Sequence, residues 1–245
     1  MFKYLLYYIL VVIKMKEIKA HLLSQTEKGT YDLVDTKIKE KTSHNEVLKH
    51  WEARAERPGV QSVMSARHSV EENEKATELL KNDILEFLAE EIKGKKIFEF
   101  GCGIGRMTEI LAENNKQVIA VDFSENMLNK ARENLRKFNN IKLTLGKLTE
   151  LNIKEKFDLV FESIVLLHIL NPEELRNTVN KMKELSDAIF ICEHTYEGEG
   201  FPISRYSILR KPEEYEELFK PYKLLKQKTH FCAGDRFTLM LFKKN

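Results

Sequence analysis

A glycine-rich turn with a carboxylate on either side is the part of this sequence that could bind a nucleoside. Gly101, Gly103 and Gly105 follow an apolar segment, and Asp122 ends the next one, 21 residues after the first glycine. Glycine has no Cβ, so a ligand can approach the backbone N–H groups where a helix begins. Asp122 is placed to accept hydrogen bonds from both ribose hydroxyls. Glu99, two residues before the turn, would repel a pyrophosphate and attract a cation. We therefore expect an adenosine cofactor that carries a positive charge.

A nicotinamide dinucleotide is the main alternative ligand for such a turn. Its binding loop reads G-x-G-x-x-G, which requires a third glycine at position 106, where this chain has Arg106. The negative charge of Glu99 also opposes a pyrophosphate at this place. The sequence therefore disfavours an NAD-dependent oxidoreductase.

The same residues resemble the first motif of the class I S-adenosylmethionine-dependent methyltransferases. That motif is E/D-x-G-x-G-x-G, and it matches Glu99, Gly101, Gly103 and Gly105. Three further landmarks of the family follow in order, over residues 118–124, 157–163 and 189–193. The resemblance extends from residue 96 to about residue 195, and more loosely to the last residue. It implies S-adenosylmethionine as the cofactor and methyl transfer to N, O or S as the activity.

The elements that must position these residues follow from the spacing of the apolar side chains. Strand and helix patterns alternate, which indicates an α/β fold. The predicted strands are 97–100, 117–121, 141–145, 157–161 and 188–192, and the predicted helices are 107–113, 125–138, 172–185 and 212–219. Two last apolar runs, 222–229 and 236–242, can pair as a hairpin. The resemblance implies a Rossmann-like, doubly wound sheet of seven mostly parallel strands with an antiparallel last strand.

Candidate cofactor contacts follow the carboxyl ends of the strands, because ligands of open α/β sheets lie there. The set is Glu99, Gly101, Cys102, Gly103, Gly105, Asp122, Phe123, Met127, Lys147, Leu148 and Ser163. Phe123 could stack on adenine or belong to the core, and Cys102 is expected to be structural. Similar methyltransferases often have an acidic residue after the third strand that accepts from the adenine amino group. Lys147 cannot accept that bond, so we expect backbone groups near Lys147 and Leu148 to recognise adenine.

Methyl transfer depends mainly on an acceptor atom held in line with the methyl group, and it needs a base only if that atom arrives protonated. Glu162, His168 and Glu193 are the candidates for such a base, because they follow the fourth and fifth predicted strands. Each has a structural alternative. His168 could bond the loop backbone instead, and Glu193 with His194 could form a solvated turn.

The segment before the glycine turn could cover the cofactor. Trp51, Arg54 and Arg67 combine the only tryptophan with arginines that can pair a carboxylate bidentately, and with His194 they are the candidate lid or substrate contacts. The alternative is a helix that supports the edge of the sheet. This division predicts a helical extension or lid over residues 15–68 and a methyltransferase domain over residues 69–245.

The first 14 residues form an apolar leader, in which an apolar run over residues 4–13 is flanked by Lys3 and Lys14. The run is too short to span a bilayer, and no small-residue cleavage site follows it. We expect either that translation begins normally at Met15 or that the preceding residues form a loosely attached or disordered leader.

Composition argues neither for nor against a small acceptor, and the cysteines indicate a reducing compartment. Lys and Arg total 40 against 38 Asp and Glu, a net charge of +2 that carries no signature of nucleic-acid binding. RNA and protein acceptors stay open, as does a module that binds the cofactor without catalysis. Three cysteines far apart indicate the cytoplasm, and the histidines and carboxylates show no metal-ligand spacing. The sequence does not indicate an oligomeric state.

Overall fold

The protein is described by a computed structural model over residues 43–65, 68–197, 203–232 and 235–244. The predicted leader at 1–14, the predicted start at Met15 and the candidate lid residue Arg67 lie outside the described residues. No helix among the described ones is long and apolar enough to cross a membrane.

Seven strands form one sheet. They are β1 Lys96–Phe100, β2 Gln117–Asp122, β3 Ile141–Leu145, β4 Leu159–Ser163, β5 Ala188–His194, β8 Lys223–Cys232 and β9 Asp235–Lys243. Their order in space is β3-β2-β1-β4-β5-β9-β8. The first five are parallel, and β9 lies antiparallel between β5 and β8. The predicted Rossmann-like α/β sheet with an antiparallel last strand is confirmed.

Helices cover both faces of this sheet. They are α1 His44–Ala55, α2 Val70–Leu88, α3 Arg106–Asn114, α4 Glu125–Asn134, α5 Pro172–Leu185 and α6 Pro212–Phe219. Apolar side chains of α2, α3 and α4 pack on one face, and those of α5 and α6 pack on the other. This doubly wound arrangement buries both faces, as expected for a mostly parallel sheet.

The cofactor edge of the sheet follows from the strand order. The chain places β2 and β3 on one side of β1, and β4 and β5 on the other, so the order reverses between β1 and β4. Where the loops after two adjacent parallel strands lead to opposite sides of the sheet, a crevice forms at the carboxyl ends of those strands. The loops after β1, β2, β3 and β4 therefore surround one cleft.

Several element ends differ from the sequence prediction. β4 runs two residues further than predicted, to Ser163, and β5 continues to His194 instead of ending at residue 192. Both strands are buried on both faces, so no alternation of polar residues marks their ends. α4 ends at Asn134 rather than at residue 138, and the N–H of Phe138 bonds to the carbonyl of Leu135 in a following turn.

Two short segments lie above the cleft edge. α1 begins at a capping box between Ser43 and Glu46, with each residue bonding the other's backbone N–H. A two-stranded hairpin lies between β5 and α6 in the chain, with β6 Ile203–Ser204 and β7 Ser207–Ile208. The helix and the hairpin meet where the ring of His50 stacks on that of Tyr206, with centroids 4.0 Å apart.

Candidate functional site

The turn after β1 brings the backbone of the first glycine close to the loop after β4. Gly101 has a φ of +72°, and a Cβ added to it would lie 2.4 Å from Cγ2 of Val165. Its N–H donates to the carbonyl of Val121 at 2.8 Å, which ties the turn to β2. Only glycine satisfies both the left-handed backbone and the close approach, so the floor of the cleft is free of side chains here.

Asp122 links the ends of β1 and β2. Oδ2 accepts from the backbone N–H of Gly103 at 2.8 Å, and Oδ1 accepts from that of Ser124 at 2.9 Å. The side chain is buried, and burial raises the pKa of Asp122 to about 6, although these backbone donors oppose the rise. A carboxylate accepts about four hydrogen bonds, so each oxygen retains a lone pair for a ligand hydroxyl.

Glu99 presents an unsatisfied carboxylate at the same place. The residue is 3% exposed on β1, and its Oε2 has no hydrogen-bond partner among the described residues. Burial raises the pKa of Glu99 to about 8, and the charge of Asp122 contributes to the rise. A buried acceptor without a partner is costly, and a cationic hydrogen-bond donor in the cleft would satisfy it.

Most candidate cofactor residues line one cleft. Those in its wall are Glu99, Gly101, Cys102, Gly103, Asp122, Phe123, Met127, Lys147, Leu148 and Ser163. Gly105 lies behind the turn instead, where it begins α3 with a φ of +83° and a Cβ would lie 2.6 Å from Cδ1 of Leu135. Gly105 therefore shapes the turn from outside the cleft, a correction to its place among the direct contacts.

The far end of the cleft, beyond β3, has an ion pair that was not predicted. Nζ of Lys147 lies 2.8 Å from Oε1 of Glu174, and Nδ1 of His44 lies 3.5 Å from the same oxygen. The ring of His44 also contacts that of Phe123, with centroids 5.5 Å apart. His44 and Glu174 come from α1 and α5, and no motif near either residue marks it as part of the site.

His168 lines the cleft from the loop after β4. Its Nδ1 lies 2.7 Å from the carbonyl oxygen of Tyr206. A carbonyl only accepts, so Nδ1 carries the proton and Nε2 carries the lone pair. Burial lowers the pKa of His168 to about 4, which keeps the ring neutral at physiological pH. The hydrogen bond to loop backbone is therefore present, and a role of Nε2 in proton transfer stays a prediction. Trp51 packs edge-on against it at 4.8 Å and also lines the cleft.

Glu162 and Glu193, two of the candidate bases, lie outside the cleft wall. Both are 0% exposed, and together they bind the backbone of the loop that carries His168. Oε1 of Glu193 accepts from the N–H groups of Val165 and Leu166 at 2.9 and 2.8 Å. Oε1 of Glu162 accepts from Val165 N–H at 2.5 Å. Burial raises the pKa of both carboxyls, and their mutual repulsion adds to the rise for Glu162.

Arg54 and His194 also lie outside the cleft wall. Nε of Arg54 donates to the carbonyl of Ser62 at 3.0 Å, so this arginine holds α1 to the following turn. His194 packs on Phe237, with centroids 4.2 Å apart, and its Nε2 lies 3.6 Å from Oδ2 of Asp235. Both were candidate substrate contacts, and their partners are instead carbonyl, carboxylate and aromatic groups of the fold.

Comparison with known proteins agrees with this geometry. Residues 97–187 match the methyltransferase domain family. Over this segment the chain is similar to methyltransferase domains. Phosphoethanolamine N-methyltransferase 3 of Arabidopsis thaliana is 33% identical to the chain over 156 residues, which are 60% of this chain and 32% of that protein. The chain thus spans about a third of the length of this curated relative.

Solved structures show the same fold for the methyltransferase domain. The N-methyltransferase NodS from Bradyrhizobium japonicum WM9, in complex with S-adenosylhomocysteine, has a TM-score of 0.62 at 15% identity, over 81% of this chain and 98% of that one. Magnesium protoporphyrin IX methyltransferase from Synechocystis PCC 6803, with S-adenosylhomocysteine bound, has a TM-score of 0.63 at 16% identity. The match covers 80% of this chain and 94% of that one. Within the described ranges of the present chain, no group of three or more His, Cys, Asp or Glu could hold a metal ion.

Proposed function

We propose that this protein transfers the methyl group of S-adenosylmethionine to N, O or S of a small molecule. The observation that supports this most directly is the unpaired, buried Oε2 of Glu99 beside a glycine turn that ends next to Asp122. The Glu99 carboxylate suits the ammonium and sulfonium of an amino-acid cation, and the Asp122 carboxylate suits a ribose. A nicotinamide dinucleotide would bring its pyrophosphate against Glu99 instead.

The residues of the cleft fit the parts of this cofactor. Gly101 and Gly103 leave the backbone open beneath its amino-acid end, and Glu99 supplies an acceptor for the ammonium. Asp122 has lone pairs for both ribose hydroxyls. Phe123 and the buried Leu148 offer apolar walls for a purine ring. When bound, S-adenosylmethionine would supply a methyl group on a sulfonium, whose neutral thioether is a good leaving group.

The chain's own contribution is positioning and one proton acceptor. His168 keeps Nδ1 occupied by the Tyr206 carbonyl, so Nε2 can accept a hydrogen bond from an N–H or O–H of the acceptor. Glu193 fixes the loop behind it through backbone N–H groups. An acceptor atom held in this way reaches near-attack geometry, which accounts for most of the rate in such a reaction. Loss of its proton to Nε2 accompanies or follows the transfer.

A small acceptor suits the covered side of the cleft. α1 contributes Trp51 and Val47 to the wall, and the hairpin turn at Tyr206 meets α1 through His50. A polymer would have to displace these contacts. The relative named a phosphoethanolamine N-methyltransferase and the porphyrin methyltransferase act, by their names, on small molecules, which supports the same class here. Free, buried Cys102 and Cys192 support a reducing compartment such as the cytoplasm.

The test is methyl transfer from tritiated S-adenosylmethionine into separated acceptor pools. The purified full chain is incubated with a panel of small amines, phenols and thiols, including phosphoethanolamine, and in parallel with RNA and with a protein extract. We expect label in one or more small molecules. Label only in RNA or protein would contradict the acceptor class. Cofactor binding without label in any pool would favour a non-catalytic module.

A further inference from the structure

The strand order fixes where each part of a bound cofactor must lie. Ends of β1, β2 and β3 are neighbours, about 4.8 Å apart, and carry in turn Glu99 with the glycine turn, Asp122, and Lys147. In S-adenosylmethionine, the amino-acid end and the adenine are attached on opposite sides of the ribose. If the ribose lies over Asp122 and the amino-acid end over the glycine turn, the adenine extends toward the end of β3. This inference therefore rests on the proposed function.

The side chain that follows β3 cannot recognise the adenine amino group. That group is a donor, and Lys147 has only donors. The ammonium of Lys147 is instead bound to Oε1 of Glu174 at 2.8 Å, and about three quarters of each side chain is buried. The pair lies in the cleft wall with Phe123 and Leu148. The cleft thus has an acceptor at the adenine end, but that acceptor comes from α5.

The backbone of Glu174 is fixed at the start of α5. Oδ1 of Asn171 accepts from its N–H at 3.0 Å and from that of Glu173 at 2.9 Å. Within the first turn the helix dipole favours the negative charge. Lys147 and His44 both approach Oε1, so the position of the carboxylate is set from two sides.

We propose that Glu174 is the residue that recognises the 6-amino group of the cofactor's adenine, with Oε2 accepting its N–H and Lys147 holding the carboxylate in place. The adenine amino group is then recognised by a side chain of α5, across the cleft from β3. Lys147, which follows β3, holds the Glu174 carboxylate in position. The same carboxylate contacts His44 of α1, so the proposed adenine contact and the start of α1 meet at one side chain.

A ligand that lacks only this amino group tests the proposal. Calorimetry measures the dissociation constants of S-adenosylhomocysteine and of its analogue with hydrogen in place of the 6-amino group. The proteins are the full chain, Glu174→Ala, Glu174→Gln and the control Glu173→Ala. Glu173 is exposed on the same helical turn, so its variant removes the same charge without the proposed contact.

The full chain should prefer the amino compound about 10-fold, the size of one hydrogen bond to a charged group. Glu174→Ala should reduce that preference to below about 3-fold, Glu174→Gln should retain part of it because its amide oxygen still accepts, and Glu173→Ala should leave it unchanged. An unchanged preference in Glu174→Ala overturns the proposal, including the case in which both ligands weaken equally. Failure of the full chain to bind S-adenosylhomocysteine would overturn the proposed function instead.

Discussion

Oδ2 of Asp122 accepts a hydrogen bond from the backbone N–H of Gly103 at 2.8 Å, so the carboxylate that ends β2 also fixes the turn that follows β1. The two features that marked the site in the sequence are therefore one physical unit. A ligand that needs the ribose contact meets a turn whose shape the same carboxylate maintains.

Asp122→Asn should lower the affinity for S-adenosylhomocysteine by about 10- to 100-fold, because an amide nitrogen cannot accept from a backbone N–H or a ribose hydroxyl. Calorimetry measures the change. Asp187→Asn is the matched control, since the Asp187 side chain is 73% exposed and lies at the opposite end of the sheet, just before β5. Equal affinities of Asp122→Asn and the unaltered chain would contradict the role given to this carboxylate.

Cofactor binding should release a proton from Glu99. With a pKa of about 8, Glu99 is mostly protonated at pH 7 in the free protein. A cation favours the ionised form and lowers that pKa, so up to about 0.9 proton leaves at pH 7 and progressively less above pH 8.

Calorimetry of S-adenosylmethionine binding in buffers of different ionisation enthalpy counts these protons. Subtracting the number of protons released by Glu99→Gln removes the protons that come from the ligand and from Asp122. Equal proton release by both proteins at pH 7 would show that Glu99 does not meet the cation.

His168→Asn should lower kcat by about 10²- to 10⁴-fold and leave cofactor affinity within about 3-fold, because it removes the basic Nε2 but retains a donor for the Tyr206 carbonyl. A kcat within 3-fold of the unaltered chain would leave His168 with a structural role only.

The pH profile gives a second test of His168. Its basic form is the neutral one, and with a pKa of about 4 this form predominates throughout the physiological range. Activity should therefore show no loss from this group between pH 7 and about pH 5, and should fall only as pH approaches 4. An inflection near pH 6.5 that disappears in His168→Asn would contradict the burial-lowered pKa.

Gly101→Ala should lower the free energy of unfolding by about 2 to 5 kcal/mol, the sum of left-handed backbone strain and overlap with Val165. Gly94→Ala is the matched control. Gly94 has a φ of +67° and nothing within 4 Å of an added Cβ, so only the strain of about 1–2 kcal/mol applies. Urea unfolding measures both. Val165→Ala should recover part of the loss in Gly101→Ala, and equal losses for the two glycine variants would contradict the overlap.

The sequence predicted the parts of the site that depend on local chemistry. Glycines at Gly101 and Gly103 and the carboxylate of Asp122 are fixed in space by the strands just before them, so their meeting follows from the order of the strands. The adenine end depends on Glu174, which approaches from α5, some 27 residues beyond Lys147. The spacing of two residues so far apart in sequence does not predict that the start of a helix will contact the end of a strand.

The positions of Glu162 and Glu193 differ from the expected ones for a related physical reason. A strand buried on both faces has no polar alternation to show where it ends, so both residues were placed just beyond strands that in fact contain them. Inside the strands, their carboxylates bind backbone N–H groups of the next loop. Burial of an acidic side chain is invisible in the sequence unless the donors that satisfy it can also be located.

Calorimetric titration of the purified full chain with S-adenosylhomocysteine, and separately with NAD, tests the central claim most directly. The account predicts saturable binding of S-adenosylhomocysteine at one site per chain, with a dissociation constant at or below about 100 μM. It predicts no detectable binding of NAD at about 1 mM, a concentration roughly 10-fold above that dissociation constant. Binding of NAD with no response to S-adenosylhomocysteine would contradict the assignment of the cleft around Glu99 and Asp122.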